Sequence, residues 1–101
     1  MTERYINPYP LPTTYERELL TCLIEECAEV QKACTKILRF GIANNNPDTG
    51  VINGEDLEKE LGDIQVLLEL LIEAGLVEPA QIDKRKPIKR KKLEQYLQSL
   101  P

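Results

Sequence analysis

The sequence predicts an all-α protein, a helical bundle of a single domain that is completed by homo-oligomerisation. Apolar residues make up 42% of the 101 residues and charged residues 30%, with 5% aromatics, a composition typical of helical proteins and unlike β-rich or disordered chains. Long segments repeat apolar residues at helical spacing. Residues typical of helix caps and breaks separate these segments, so we expect a few long helices.

The first twelve residues are predicted to form an extended N-terminal arm. Three prolines alternate with a tyrosine and a leucine between positions 8 and 12, and this density of proline excludes a helix. The remaining residues, 13–101, are predicted to form one helical domain. A domain of this size commonly gains stability from oligomerisation.

The first helix is predicted over about residues 13–40. Thr13 and Glu16 have the spacing of a capping box, and Gly41 is the natural C-cap. Residues 41–54 then form an asparagine-rich loop that is longer than a turn between two helices requires. Such a loop can cover a ligand and offer amide groups to a base. A surface loop without a binding role is an equal alternative.

A buried second helix is predicted over about residues 54–74, with Asn53 as its N-cap and Gly75 at its end. Apolar side chains surround most of its circumference. The clearly polar sector consists of Gln65, Glu69 and Glu73. Because three helices of one chain could not easily cover so many apolar sides, we expect this helix to lie at a subunit contact in a homodimer or homotetramer.

The C-terminal helical segment is predicted over about residues 79–99, in two parts. Pro79 suits a first helical turn, whereas Pro87 is expected to interrupt the helix before a last amphipathic part. Residues 84–101 carry a net charge of +6, and residues 1–83 carry −10. The basic segment can bind or neutralise phosphate, or lie on the acidic body. Nucleic-acid binding is not expected, because the segment is short and lacks interleaved aromatic residues.

The three cysteines, Cys22, Cys27 and Cys34, all fall in the first predicted helix without a C-x-x-C pair. An odd count without a signal peptide argues against a disulfide framework, so we expect reduced thiols, packed as small core residues, in a cytoplasmic protein. The chain has no histidine to activate a thiolate, which disfavours cysteine catalysis. No apolar run approaches the length of a membrane span, so no membrane partner is expected.

Glutamates stand inside the apolar stripes of both long helices. At about 100° per residue, Glu26 projects with the apolar side chains of the first helix, and Glu60 with those of the second. Glu29 and Asp63, three residues further on, are each offset by about 60° in the same sense. A solvated acidic face should not share its direction with the longest apolar stripe, and here it does so twice.

A group of four carboxylates taken out of water requires a compensating positive charge. A divalent cation supplies this charge, and an all-oxygen ligand set favours Mg²⁺, with Mn²⁺ as a possible substitute, over zinc or copper. The absence of histidine also excludes a Glu-x-x-His di-iron site. The alternative is a pair of acidic helices whose glutamates lie at the solvent edge.

This arrangement resembles the signature of the MazG-like family of all-α nucleoside triphosphate pyrophosphohydrolases, E-E-x-x-E followed on a second helix by E-x-x-D. The matching residues are Glu25, Glu26, Glu29, Glu60 and Asp63. The resemblance implies that residues 13–101 form a MazG-like domain. Its expected activity is Mg²⁺-dependent cleavage of a ribo- or deoxyribonucleoside triphosphate between the α and β phosphates, giving a monophosphate and pyrophosphate.

The resemblance also implies roles for particular residues. The expected metal ligands are Glu26, Glu29, Glu60 and Asp63. Glu25 and Glu26 are the expected catalytic residues, with Glu25 either binding a further ion or accepting the proton of the attacking water. Candidate phosphate contacts are Lys36, Lys32 and Arg39. Lys36 is favoured over Lys32, for which a solvent-exposed salt bridge is the alternative.

A second class of function stays open, a non-catalytic helical module that binds a metal ion for interaction or regulation. The intact set of five carboxylates favours the enzyme over this module. The sequence specifies neither a base nor a 2′-hydroxyl, so it leaves open the preferred nucleotide and the physiological role.

Overall fold

The structure of the protein, a computed structural model, describes residues 10–99. This part of the chain contains three helices and no strand. The helices are α1 (Thr14–Phe40), α2 (Asn53–Glu73) and α3 (Pro79–Tyr96). The predicted all-α class is therefore confirmed. Most of the predicted N-terminal arm lies outside the described residues, and positions 10–12 are exposed and not helical.

Local signals place both ends of α1 where the sequence predicts them. Thr13 Oγ1 accepts a hydrogen bond from the Glu16 amide at 3.2 Å, and the Thr13 amide donates to Glu16 Oε1 at 2.8 Å, which completes the capping box. At the other end Gly41 has φ of 92°, and its amide donates to the Ile37 carbonyl at 2.8 Å. A side chain at that positive φ would be strained, so glycine ends α1 here.

The start of α2 differs from the prediction that Asn53 caps this helix through its side chain. Ile52 occupies the N-cap without a side-chain hydrogen bond, and Asn53 is the first helical residue. The Asn53 side chain instead donates to the Gly41 carbonyl at 3.0 Å, while loop carbonyls accept from the first two amides of α2. The prediction is wrong because the Asn53 side chain binds the Gly41 carbonyl, which has no partner within α1. The backbone of the loop caps α2 instead.

The predicted end of α2 at Gly75 is confirmed. Gly75 has φ of 76°, its amide donates to the Ile72 carbonyl at 2.9 Å, and the Leu76 amide donates to the Leu71 carbonyl at 3.0 Å. These two hydrogen bonds form a Schellman motif, which requires a left-handed residue that glycine supplies without steric cost.

The predicted interruption at Pro87 is wrong, because α3 runs continuously through it. Proline removes the amide that would donate to the Asp83 carbonyl, but α3 is exposed there and water can satisfy that carbonyl. The lysines and arginines on both sides are good helix formers and support continuation. Every residue of α3 except Ile82 is exposed, and α3 scarcely touches α1 or α2.

The core of the described chain lies between α1 and α2. Its buried apolar residues are Leu19, Ala33 and Leu71. These lie on the two predicted stripes, which are thereby confirmed as the packing faces. The prediction that the cysteines are core residues is wrong for the isolated chain, since all three thiols are exposed. None of the described helices combines the length and apolar character needed to cross a bilayer.

Candidate functional site

Packing of α1 against α2 brings together carboxylates from both helices. Glu26 of α1 and Glu60 and Asp63 of α2 each offer an oxygen, and these three atoms lie within 4.8 Å of one another. Glu60 is 5% exposed, whereas the side chain of Asp63 is 46% exposed. We call these three residues the carboxylate cluster. It reaches from the core between the helices to the solvent.

One oxygen of the carboxylate cluster has no donor. Glu26 Oε2 is buried and has no hydrogen-bond partner among residues 10–99, and an ionised oxygen in that position is costly. The pKa of Glu26 is raised, first because its protonated carboxyl can donate to Glu60, and then through burial and the negative charge of Asp63. That same hydrogen bond lowers the pKa of Glu60, helped by Lys59 and opposed by burial. The two carboxyl groups thus shift each other's pKa in opposite directions.

The carboxylate cluster fits a hard divalent cation. Its donors are all oxygens, and the orphaned Glu26 oxygen provides a buried acceptor. Two ligand atoms on opposite sides of Mg²⁺ lie about 4.2 Å apart, twice the usual Mg–O distance. Neighbouring ligand atoms lie about 3 Å apart, so the three oxygens, now within 4.8 Å of one another, would draw together around a bound ion.

Lys59, which was not among the predicted site residues, adds a positive charge beside the carboxylate cluster. Its Nζ lies 3.3 Å from Glu60 Oε1 and 4.0 Å from Asp63 Oδ2, and the hydrogen bond to Glu60, with the negative charges of Glu60 and Asp63, raises the pKa of Lys59. The lysine is 69% exposed and can also reach a ligand in the solvent. The sequence could have indicated this contact, because Lys59 lies four residues before Asp63 and residues at that spacing meet on one helix face.

Glu25 and Glu29 lie outside the carboxylate cluster. Glu25 is exposed on α1, and Glu29 Oε1 lies 3.7 Å from Lys32 Nζ in an exposed ion pair. The structure therefore brings three of the five signature carboxylates together. Glu29 and Asp63 are offset alike from Glu26 and Glu60, but only Asp63 lies on the side of its helix that faces the cluster.

Lys36 and Arg39, the other predicted phosphate contacts, have different surroundings. Lys36 Nζ lies 3.9 Å from Asp56 Oδ2, which directs it toward the start of α2. The Arg39 guanidinium lies 5.0 Å from the centroid of the Phe40 ring, a cation–π distance. Lys36 lines both cavities described below, and Arg39 lines neither.

The loop between α1 and α2 folds back on itself. Asn45 and Ile52 form an isolated antiparallel bridge, and the Asn46 amide donates to the Val51 carbonyl at 2.9 Å. The Asn46 carbonyl in turn accepts from the Gly50 amide at 2.7 Å. These bonds satisfy the backbone within the loop and hold it beside the first turn of α2.

Two adjoining cavities lie between this loop and the helices. The first, which we call the asparagine cavity, has a volume of about 420 Å³ and is lined by Lys36, Phe40, Asn44, Asn45, Asn46, Pro47 and Asn53. The second, the lysine cavity, has a volume of about 290 Å³ and is lined by Lys36, Asn46, Thr49, Val51, Asn53, Asp56 and Lys59. Three residues line both cavities, and Lys59 links the second to the carboxylate cluster.

No family model, curated protein or solved structure matches this chain. The grounds for a function are therefore the signature residues and the geometry around them.

Proposed function

We propose that the protein is a MazG-like nucleoside triphosphate pyrophosphohydrolase that uses Mg²⁺, or Mn²⁺ as a substitute. It would cleave ribo- or deoxyribonucleoside triphosphates between the α and β phosphates to give a monophosphate and pyrophosphate. The supporting observation is the carboxylate cluster, in which Glu26 Oε2 is buried without a donor beside the buried Glu60. Acidic residues that only face solvent need no such burial.

In this proposal the carboxylate cluster holds the ion, which when bound supplies screening of the phosphate charges and acidification of water. Glu29 and Glu25 stand at the exposed side of α1 close to Glu26, where a carboxylate can accept a proton from water or bind a further ion. Lys36 and Lys59 place two ammonium groups along the lysine cavity, where they would contact the triphosphate.

We also propose that the protein works as a cytoplasmic homodimer or homotetramer with α2 at the subunit contact. Large apolar side chains of α2 that α1 does not cover support this assembly, among them Leu61 at 43% exposure. The exposed thiols of α1 suit a reducing compartment, since exposed free cysteines are open to oxidation.

One observation favours the non-catalytic metal-binding module as the second candidate. Glu29 is paired with Lys32, and Glu25 lies apart, so the described cluster has only three carboxylates and no carboxylate clearly set aside as a base. Such a site can bind an ion for a regulatory purpose without turning over a nucleotide.

Pyrophosphate release separates the two candidates. The assay would present a panel of ribo- and deoxyribonucleoside triphosphates with Mg²⁺, Mn²⁺ or EDTA, and would identify the nucleotide product. We expect metal-dependent release of pyrophosphate and monophosphate, with a loss of at least about a hundredfold in Glu60→Gln. The control is Glu58→Gln, which removes an exposed carboxylate of α2 outside the cluster and should keep parental activity.

Calorimetric titration with Mg²⁺ completes the test. Metal binding without pyrophosphate release from any nucleotide would favour the regulatory module. Absence of metal binding in the parent would overturn both candidates.

A further inference from the structure

We propose that the asparagine cavity binds the base of the nucleotide and selects bases that present oxo groups, such as uracil, over amino-bearing bases, such as cytosine. This inference rests on the proposed function, because it extends the same substrate site to the base. Its grounds are the hydrogen-bonding groups that the cavity has left to offer a ligand, the apolar surfaces beside them, and the continuity with the carboxylate cluster.

Two asparagines of the loop are fixed through their side-chain oxygens, and among the described residues nothing accepts from their amino groups. Asn44 Oδ1 accepts from the Asn45 amide at 2.9 Å, and Asn46 Oδ1 accepts from the Asp48 amide at 2.8 Å. A backbone amide can only donate, so the side-chain atom that meets it must be the oxygen. The amino groups of Asn44 and Asn46 are therefore left to donate to a ligand in the cavity.

Asn53 is fixed in the opposite sense. Its Nδ2 donates to the Gly41 carbonyl at 3.0 Å, which leaves its oxygen as the acceptor, and the residue is 4% exposed. Lys36 is left to the triphosphate, and Asn45 carries both a donor and an acceptor and so does not discriminate between bases. The asparagine cavity thus offers two amino donors, from Asn44 and Asn46, and one amide acceptor, from Asn53. Uracil matches this set with two oxo acceptors on either side of one ring N–H donor, whereas cytosine has an amino donor in place of one oxo group and a ring acceptor in place of the N–H.

Phe40 and Pro47 supply apolar surfaces for a flat ring. Phe40 lines the asparagine cavity, is 55% exposed, and carries the Arg39 guanidinium 5.0 Å from its ring centroid. Stacking on an aromatic side chain is a common way for proteins to hold an unpaired base. The cavity volume of about 420 Å³ lies in the range of small-molecule sites.

The lysine cavity connects the base position to the carboxylate cluster. Lys36, Asn46 and Asn53 line both cavities. From Asn53 to Glu60 the α2 backbone rises by about 10 Å, at 1.5 Å per residue. A ribose with its first phosphates can bridge this reach, so a base in the asparagine cavity would bring the scissile phosphates to the cluster.

The substitution Asn46→Asp tests the base selection. Aspartate keeps the oxygen that accepts from the Asp48 amide and replaces the amino donor with an acceptor. We expect the parent to prefer UTP over CTP in kcat/KM by at least about tenfold, and we expect Asn46→Asp to reduce this ratio by a similar factor. The ratio is the readout, because the added negative charge repels both triphosphates equally.

The matched control is Gln31→Glu, which adds the same charge on an exposed position of α1 that lines neither cavity. This variant should keep the parental ratio. A parent that turns over UTP and CTP equally, or an Asn46→Asp ratio unchanged from the parent, would overturn the base subsite and leave the proposed hydrolysis intact.

Binding of the free nucleosides distinguishes failure of the subsite from failure of the proposed function. Uridine and cytidine, added at millimolar concentration in EDTA, would be followed through the NMR signals of residues 40–53. We expect uridine to bind more tightly than cytidine in the parent and to lose this advantage in Asn46→Asp. That result without pyrophosphate release would support the subsite and contradict the hydrolase. Equal or absent effects of the two nucleosides would overturn the subsite whatever the activity.

Discussion

Glu60 is an ionisable residue at a buried position of α2. Its position on the core face of α2 removes it from water, and its neighbours in the carboxylate cluster add negative charge. The hydrogen bond with Glu26, which lowers the pKa of Glu60, and the ammonium of Lys59 at 3.3 Å partly offset this cost. Because a bound cation would neutralise this buried charge directly, substitution of Glu60 is the sharpest test of the metal site.

The first prediction is a crossover in thermal stability on substitution Glu60→Gln. In EDTA the variant should be at least as stable as the parent, because the amide removes one negative charge and can donate to the orphaned Glu26 oxygen. Loss of the ion pair with Lys59 should change the free energy of unfolding little, because that lysine is 69% exposed. Millimolar Mg²⁺ should raise the Tm of the parent by several degrees and leave the variant nearly unchanged.

Thermal melts of both proteins with EDTA and with Mg²⁺ measure this crossover, and Glu58→Gln is again the control. A parent whose Tm does not respond to Mg²⁺ would show that the carboxylate cluster holds no ion.

The second prediction compares two lysines that lie one turn apart on α1 and that each pair with one acid. Lys36→Ala should lower kcat/KM for a nucleoside triphosphate by about tenfold or more, because Lys36 lines both cavities. Lys32→Ala should change it by less than about twofold, because Lys32 only meets the exposed Glu29. Circular dichroism would verify that both variants fold. Equal losses in the two variants would contradict a phosphate contact specific to Lys36.

At the scale of the helices, the sequence predicted the helix ends that are fixed by hydrogen bonds between residues close in the chain. The capping box at Thr13 and the glycine stops at Gly41 and Gly75 could be read directly, since each satisfies its own helix end. The prediction failed for Asn53, whose side chain bonds to a carbonyl twelve residues away, and for Pro87, whose cost depends on the solvent around α3. Sequence patterns do not contain such contacts.

The same limit applies to the candidate site. The apolar stripes located Glu26 and Glu60, because periodicity fixes the core face of each helix. They could not decide whether the offset residues Glu29 and Asp63 reach the partner helix, since that depends on how the helices cross. Asp63 joins the carboxylate cluster and Glu29 does not.

The third prediction concerns the close approach of the loop to α2. A Cβ atom at Gly54 would lie 2.9 Å from Ile42 Cγ1 and 3.3 Å from the Ile42 carbonyl oxygen. Gly54→Ala should therefore displace the loop and lower the free energy of unfolding by about 1–3 kcal/mol. In Gly62→Ala the added methyl meets nothing within 4 Å, so the variant should gain up to about 1 kcal/mol of helix stability.

Urea denaturation of the two variants and the parent measures these opposite changes. If Gly54→Ala were as stable as Gly62→Ala, the loop would not pack on α2 as described.

At the scale of the whole molecule, one chain does not cover its own apolar surface. Between α1 and α2 only three apolar residues are buried among those that the structure describes, while Ile24 and Leu38 are 71% and 87% exposed. The basic α3 helix scarcely touches the other two helices, although the rest of the chain is acidic. Both features are expected of a subunit whose helices are completed by another copy of the chain.

The last prediction is that the protein is a homo-oligomer whose contact includes the side of α2 that carries Leu61 and Leu68. These leucines are one heptad apart, about 80–100° around the helix from Glu60, and they are 43% and 36% exposed. Light scattering at micromolar concentration should give two or four times 11.5 kDa. Leu68→Glu should lower this mass, since it would place an unpaired charge in the contact, at a cost on the order of several kcal/mol, and symmetry repeats the loss in each subunit. Glu73→Gln, which changes the charge by one unit about 120–140° around α2 from these leucines, should keep the parental mass. A monodisperse 11.5 kDa parent would mean that these leucines face water, and the proposed assembly would be wrong.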